Sequence, residues 1–188
     1  FVYLFWPPGP AYLYHQAEVL MASPHRHDWI TARNTYLDPL DQRFPDHPYH
    51  AKTRDWRDRI LLDEAEGRSK MLDSAVRTLL SEPGTDGERL YVSFSTLSRK
   101  DSERGDDLAA VDHWKEMARQ INPDDPVERK WNLLAVQRAE VLRKAVDARR
   151  AFVLGQLKRI DQARQDGRYN EAAAIREELL DRYGKYVD

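Results

Sequence analysis

The chain contains no cysteine in its 188 residues. Disulfides, thiolate nucleophiles and cysteine-ligated metal sites are therefore excluded. The motifs GxGxxG, GxxxxGK[ST], GxSxG and HExxH are also absent, which removes the usual signals of nucleotide-binding proteins, α/β-hydrolases and zinc proteases. We accordingly predict a chain that is not an enzyme, with no catalytic residue and no cofactor.

An excess of charge of either sign is missing too. The 30 basic residues are balanced by 32 acidic ones, which gives a net charge of -2. A protein that binds nucleic acid usually carries a basic surface, so we predict no nucleic-acid partner. The classes of partner that remain are proteins and peptides, and we expect one of them to bind this chain.

Long apolar runs are also lacking, since none reaches the roughly 18 residues of a membrane span. The chain nevertheless opens with six apolar residues, FVYLFW, followed by Pro-Pro-Gly-Pro. Aromatic residues are common where a membrane helix meets water. We predict that residues 1–9 form a juxtamembrane segment, with the membrane reached through a segment before Phe1. The alternative is an apolar strap that packs along the first helical hairpin.

Apolar residues recur at helical spacing in most of the chain, and one spaced pattern occurs more than once. A small residue is followed by an aromatic residue four positions later, then by an apolar residue or proline, which is typical of the second helix of a tetratricopeptide repeat. A weaker copy with a different spacing follows Gly167. The predicted repeat positions are Ala32, Tyr36 and Pro39 in the first copy, Ala110, Trp114 and Met117 in the second, and Tyr169, Ala172 and Leu179 in the third.

These patterns predict an all-α fold of antiparallel, tetratricopeptide-like hairpins in a single helical-repeat domain over residues 10–188. The hairpins are expected at about 10–45, 86–122 and 126–184. Residues 125–165 are predicted to form one long helix, or two helices joined near Gly155. Whether residues 48–81 form one helix or two is left open, because Gly67 lies in the middle of the pattern.

Two loops carry the histidines that could hold a metal ion. His25 and His27 lie in the first loop, and His47 and His50 lie in the second. Imidazole nitrogens bind zinc and nickel, but the spacing matches no established ligand motif. We therefore predict no metal site and retain these four histidines as weak candidates. A metal-dependent hydrolase that uses them is the least favoured of the functions considered.

Several segments together resemble one known protein region. They are FVYLFWPPGPAYLY, DWITARNTYLDPLDQRFPDHPY, the hairpin from DGERLYVSFSTL to GDDLAAVDHWKEMA, and GRYNEAAAIREELLDRYGKY. Nearly the whole chain is similar to the C-terminal region, after the membrane helix, of planctomycete-type receptor-like serine/threonine protein kinases. Because HRD, DFG and a glycine-rich loop are absent here, the resemblance assigns no catalytic residue to this chain.

The resemblance implies a non-catalytic interaction or sensor module that forms the extracytoplasmic part of a membrane-anchored serine/threonine kinase with a role in signalling. It places the chain on the periplasmic face of a membrane. The alternative is a free-standing, cytoplasmic adaptor that binds peptides or proteins in the groove of its helical repeats.

Overall fold

The structure is a computed structural model that describes residues 8–78 and 83–186, so residues 1–7 of the predicted juxtamembrane segment 1–9 lie outside the described part. The all-α prediction is confirmed, because the described residues form helices and turns without a strand. The helices are α1 (Pro10–Met21), α2 (Arg26–Ala32), a π-helical segment (Arg33–Leu37), α3 (Asp38–Arg43), α4 (His50–Thr78), α5 (Asp86–Glu103), α6 (Asp107–Gln120), α7 (Arg129–Gln165) and α8 (Tyr169–Tyr183).

The chain divides into two compact units, of which the first ends at Glu64 and the second begins at Ala65. Helix α4 contributes residues to both units because it runs from His50 to Thr78. The single domain over residues 10–188 therefore stays a prediction.

The first unit begins with α1, whose buried residues follow the helical period. Leu13, Ala17 and Met21 are almost completely buried, and Pro10 occupies the first turn, where its missing N–H leaves no bond unmade. Ala17 and Met21 pack in one cluster with Ala32, Leu37, Trp56 and Ile60. Each large apolar side chain buried in this way contributes about 1.5–3 kcal/mol to folding.

A π-helical turn, Arg33–Leu37, precedes Pro39. Proline offers no backbone N–H and crowds the preceding turn, so regular helical bonding fails here. The Asp38 N–H instead bonds the carbonyl oxygen of Arg33, five residues earlier. The helix then continues to Arg43 as α3. Helix α2 begins at Arg26, and Asp28 in its first turn accepts a bond from the Ser23 hydroxyl.

Helix α4 is one continuous helix through Gly67, which answers the question that the sequence leaves open. A glycine inside a helix costs about 1 kcal/mol relative to alanine. Ala65, Ser69 and Leu72, on both sides of this glycine, are at most 1 % exposed. Burial of these residues stabilises the helix and offsets the cost of the glycine.

Two side-chain caps define the hairpin of α5 and α6. The Thr85 hydroxyl accepts a bond from the Glu88 N–H (3.2 Å), and the Asp106 carboxylate accepts one from the Ala109 N–H (3.0 Å). Gly105 forms the turn between the helices with a φ of 84°, a conformation that favours glycine. The buried face of α5 does not coincide with its large apolar residues, because Gly87, Glu88 and Ser98 are buried while Leu97 is 41 % exposed.

Helix α7 contains 37 residues, so the second of the two predicted alternatives, a break near Gly155, is wrong. It also starts later than predicted. Asp125 accepts bonds from the backbone N–H groups of Val127 and Glu128, and these bonds form a separate turn before the helix begins at Arg129. The chain then leaves α7 through Gly167, with a φ of 75°, where the sequence predicts the helix to end.

Three aromatic rings form the centre of the second unit. Tyr91 lies with its ring centroid 5.9 Å from Trp114 and 5.3 Å from Trp131. Gly87 allows this packing, because a Cβ at that position would overlap the indole of Trp131 and the carboxylate of Glu128. The Tyr91 hydroxyl donates to Asp73 on α4 (3.0 Å), and burial together with the Asp73 charge raises the pKa of Tyr91 to about 12.

Candidate functional site

A surface groove runs between α6 and α7 in the second unit. Its volume is about 430 Å³, which is within the range of ligand-binding clefts. Ala118 from α6 and Val136 and Ala139 from α7 form an apolar floor. Val136 is 43 % exposed, so this floor is open to a partner. At one point the two walls are joined by Asn132, whose amide donates to the carbonyl oxygen of Ala118 (2.7 Å).

The rim of the groove carries more positive than negative charge. Four cationic side chains and a single carboxylate, that of Glu140, line it; the cations are Lys115, Arg119, Arg143 and Lys144. Three of the cations also pair with exposed carboxylates three or four residues away on the same helix, at 3.2 Å. Pairs of this exposed kind contribute about 0–1 kcal/mol, so a partner's carboxylate can replace them at small cost.

One of these neighbouring carboxylates is held ionised by its surroundings. Hydrogen bonds from Gln120 and Arg119 lower the pKa of Glu116. Arg119 is nevertheless 73 % exposed on its side chain and can turn towards a partner. The groove therefore combines an apolar surface with cations that are accessible to water.

The predicted repeat positions fall into three groups when their burial is compared. Ala32, Ala110, Trp114, Met117 and Ala172 are buried, as core positions of a hairpin require. Tyr36, Pro39 and Leu179 are partly buried. Tyr169 is 68 % exposed and is therefore not a core residue. Trp114 and Met117 lie on the α6 face that packs inwards, which turns Lys115, Ala118 and Arg119 towards the groove.

The structure brings together two of the four candidate histidines. His47 and His50 stack with ring centroids 4.0 Å apart, and Asp41 of α3 completes a group whose possible ligand atoms lie within 4.8 Å of one another. Neither His25 nor His27 belongs to this group among the described residues. His25 instead precedes the first residue of α2, and His27 lies in its first turn.

The hydrogen bonds of His47 show what this group does in the first unit. Its Nδ1 accepts a bond from the Tyr49 N–H (3.1 Å), so the ring proton is on Nε2, which donates to Asp41 (2.8 Å). Arg57 donates to the other oxygen of the same carboxylate (2.8 Å). A metal on Nε2 would require the proton to move to Nδ1, where the Tyr49 N–H already points. The geometry thus favours a hydrogen-bonded support of the turn before α4.

The sequence does not indicate the groove, because its basic residues alternate with acidic ones, a pattern typical of a solvated helix face. Arg143 and Lys144 stand in the sequence near Glu140 and Asp147, and only the fold places the apolar floor of Ala118, Val136 and Ala139 beside them. The detectable signal was Val136, an apolar residue outside the buried series of Trp131, Leu134 and Ala135. A second missed signal concerns the start of α5, not the groove. The segment Thr85-Asp-Gly-Glu88 has the spacing of a capping box.

In residues 8–78 and 83–186 the helices lack the combination of length and apolar character that a bilayer crossing needs. No protein-family model matches the chain, and neither a curated protein nor a solved structure matches it significantly.

Proposed function

We propose that the chain is a non-catalytic protein-interaction module of tetratricopeptide-like hairpins, which binds an acidic, amphipathic peptide segment of a partner protein between α6 and α7. The observation that carries this proposal is the groove with its apolar floor and its rim of four cations to one carboxylate. Two adjacent helices that present such a groove are a common arrangement for holding a peptide.

The chemistry of the groove defines the partner. Val136 and Ala139 offer an apolar contact for leucine-like or aromatic side chains, which carry most of the energy in peptide interfaces. Arg143 and Lys144 lie on the same wall and favour carboxylates beside those apolar residues. The charges at the rim accelerate association and select against basic peptides more than they add to affinity.

The place of this module in a longer protein rests on the resemblance to receptor-like kinases. In that proposal the chain is the extracytoplasmic sensor of a membrane-anchored serine/threonine kinase, and binding of a partner changes the association of the kinase chains. The coding sequence upstream of Phe1 tests it. An apolar span preceded by a kinase domain is expected, and a start codon or a cleaved secretion signal there would leave the free-standing adaptor as the better proposal.

The groove itself is tested with the 188-residue chain and a phage-displayed peptide library. A selected peptide is labelled, and its affinity is measured by fluorescence anisotropy for the wild type and two variants. Val136→Asp puts a carboxylate on the floor, and we expect it to weaken binding at least about ten-fold, a change of about 1.4 kcal/mol. Val141→Asp is the matched control, because Val141 is 60 % exposed on the same helix and does not line the groove.

The acidic character of the partner has its own control. A version of the selected peptide with glutamines in place of its glutamates should bind more weakly, and the difference should shrink as salt is added. Equal affinities of the two valine variants, or the absence of any saturable peptide, would remove the proposal.

A further inference from the structure

A second cavity lies in the same unit, between α7 and the chain that follows α8. Its volume is about 410 Å³, and Val153 and Leu154 form its apolar part. The rings of Tyr183 and Tyr186 and the guanidinium groups of Arg149 and Arg150 also line the cavity. None of these residues lines the α6–α7 groove.

Fixed contacts build one wall of this cavity. The guanidinium of Arg149 lies 3.7 Å from the centre of the Tyr186 ring and pairs with Asp107 at 2.9 Å, where both side chains are 12 % exposed. The Asp107 carboxylate thus holds Arg149, and Arg149 supports the ring. The wall is consequently in place before any ligand binds, which reduces the entropy cost of binding.

A close backbone approach holds Tyr186 from the other side. Gly105, in the turn between α5 and α6, packs against the Lys185 carbonyl so closely that a Cβ would overlap it. A Cβ would also lie 3.0 Å from the Cα of Tyr186. The segment after α8 is therefore held by Arg149 of α7 and by the turn at Gly105, although it belongs to no helix.

The remaining cation is available to a ligand. Arg150 is exposed at the edge of the cavity, and within the described ranges no carboxylate pairs with it. Its guanidinium can donate two parallel hydrogen bonds to a carboxylate or a phosphate. Next to it lie the rings of Tyr183 and Tyr186, with centroids 6.3 Å apart. Arg149 and Lys185 lie over Tyr186, so a ligand ring meets these tyrosines through their edges, in the edge-to-face geometry that aromatic pairs favour.

We propose that this cavity binds a small organic anion in which a carboxylate or phosphate is attached to an aromatic ring. The ring lies among Tyr183, Tyr186 and Leu154, and the anionic group bonds Arg150. Arg149 supports the tyrosine wall and does not supply the primary bond, because Asp107 already neutralises it. This site does not depend on the peptide groove, since the two share no residue.

The proposal is tested with para-fluorophenylacetate and its neutral isostere para-fluorophenylacetamide, observed by fluorine NMR with the full chain. We expect saturable binding of the acetate in the micromolar to millimolar range and at least about ten-fold weaker binding of the acetamide. Para-fluorophenyl phosphate is the second anion, and the tighter of the two anions identifies the head group. Saturable binding of either anion supports the site.

Three variants separate the site from a general attraction to positive charge. Arg150→Gln should weaken binding of the acetate at least about ten-fold, while Arg150→Lys retains part of the affinity. Arg143 lies on the same helix outside the cavity, so Arg143→Gln should leave the affinity for the acetate unchanged within about two-fold. Because Arg150 is exposed, the thermal unfolding of its variants should match that of the wild type. Equal binding of the acetate and the acetamide, no loss in Arg150→Gln or no saturable binding would overturn the proposal.

Discussion

Replacing Glu88 by glutamine removes one negative charge from a largely buried ion pair that joins α4 to α5. The Glu88 side chain is 8 % exposed and accepts two parallel bonds from Arg68, from Nε at 2.7 Å and from Nη2 at 2.9 Å. It also accepts a bond from the Gly84 N–H at 2.8 Å. Glutamine retains the shape of the side chain but leaves the guanidinium without its counter-charge.

The expected loss follows from the three bonds. Hydrogen bonds to a charged partner contribute about 1.5–3 kcal/mol and those between neutral groups about 0.5–1.5. Arg68 is 32 % exposed, so water replaces part of its lost interaction and the full cost of a buried unpaired charge does not apply. We expect Glu88→Gln to lower the free energy of unfolding by about 2 kcal/mol. The exposed control Glu171→Gln, which loses only a pair with Arg168, should cost less than about 0.5 kcal/mol.

The dependence on pH distinguishes a charge effect from a packing effect. The Arg68 bonds, with the Gly84 N–H and nearby positive charge, lower the pKa of Glu88 below its ordinary value of 4.5 despite burial. A carboxyl whose pKa is lowered by folding stabilises the protein above its unfolded pKa and loses that contribution as the pH falls through the folded value. The difference between wild type and Glu88→Gln should therefore be full at neutral pH and shrink below about pH 4.5.

The assay is urea denaturation followed by circular dichroism at several pH values, with a double-mutant cycle that pairs Glu88→Gln with Arg68→Met. A coupling energy of about 2 kcal/mol at neutral pH is expected. A coupling energy below about 0.5 kcal/mol, or a loss that stays constant down to pH 3, would show that Glu88 acts through packing and refute this reasoning.

Two further changes test the second unit. Gly105→Ala should destabilise the fold by at least about 1 kcal/mol more than Gly167→Ala in thermal or urea unfolding. Both glycines have positive φ, but only at Gly105 would a Cβ overlap Lys185. Equal losses in the two variants would contradict this contact. Tyr91 should titrate near pH 12 in ultraviolet absorbance, and its contribution to stability, complete below the ordinary tyrosine pKa near 10, should be lost as the pH rises towards 12. Tyr91→Phe, which removes the bond to Asp73, should cost about 1 kcal/mol; a Tyr91 that titrates with the exposed tyrosines would contradict its burial.

The helices could be predicted from the sequence because each carries its own local signals. Pro10 at the start of α1 and Gly167 after α7 act through backbone geometry within a few residues, so no knowledge of the fold is needed to read them. The length of α4 was harder to predict from the sequence. Gly67 weakens the helix locally, and the burial of residues such as Ser69 and Leu72 that offsets this cost comes from tertiary packing.

The faces of the helices and the sites were less predictable. The burial of Gly87 and Glu88 on α5 depends on Trp131 and Arg68, which lie on other helices. The cavity near Tyr186 depends on Gly105, about 80 residues earlier in the chain. His47 also acquires its role only from the fold, because the Tyr49 N–H fixes its tautomer. Residue type alone therefore makes His47 a candidate metal ligand, whereas its hydrogen bonds in the fold favour a supporting role.

The two proposed sites share α7 but stand on different evidence. The groove uses the helix around Val136–Lys144, and the cavity uses it from Arg149 to Leu154. Arg143→Gln and Arg150→Gln therefore change one site each, and a failure of the peptide experiment leaves the anion experiment intact. A sensor needs a ligand site and a partner site, and one continuous helix that carries both is the simplest physical link between them. Binding at both sites would thus support the sensor proposal more strongly than either site alone. If the groove binds its peptide but the cavity binds no anion, the adaptor is favoured.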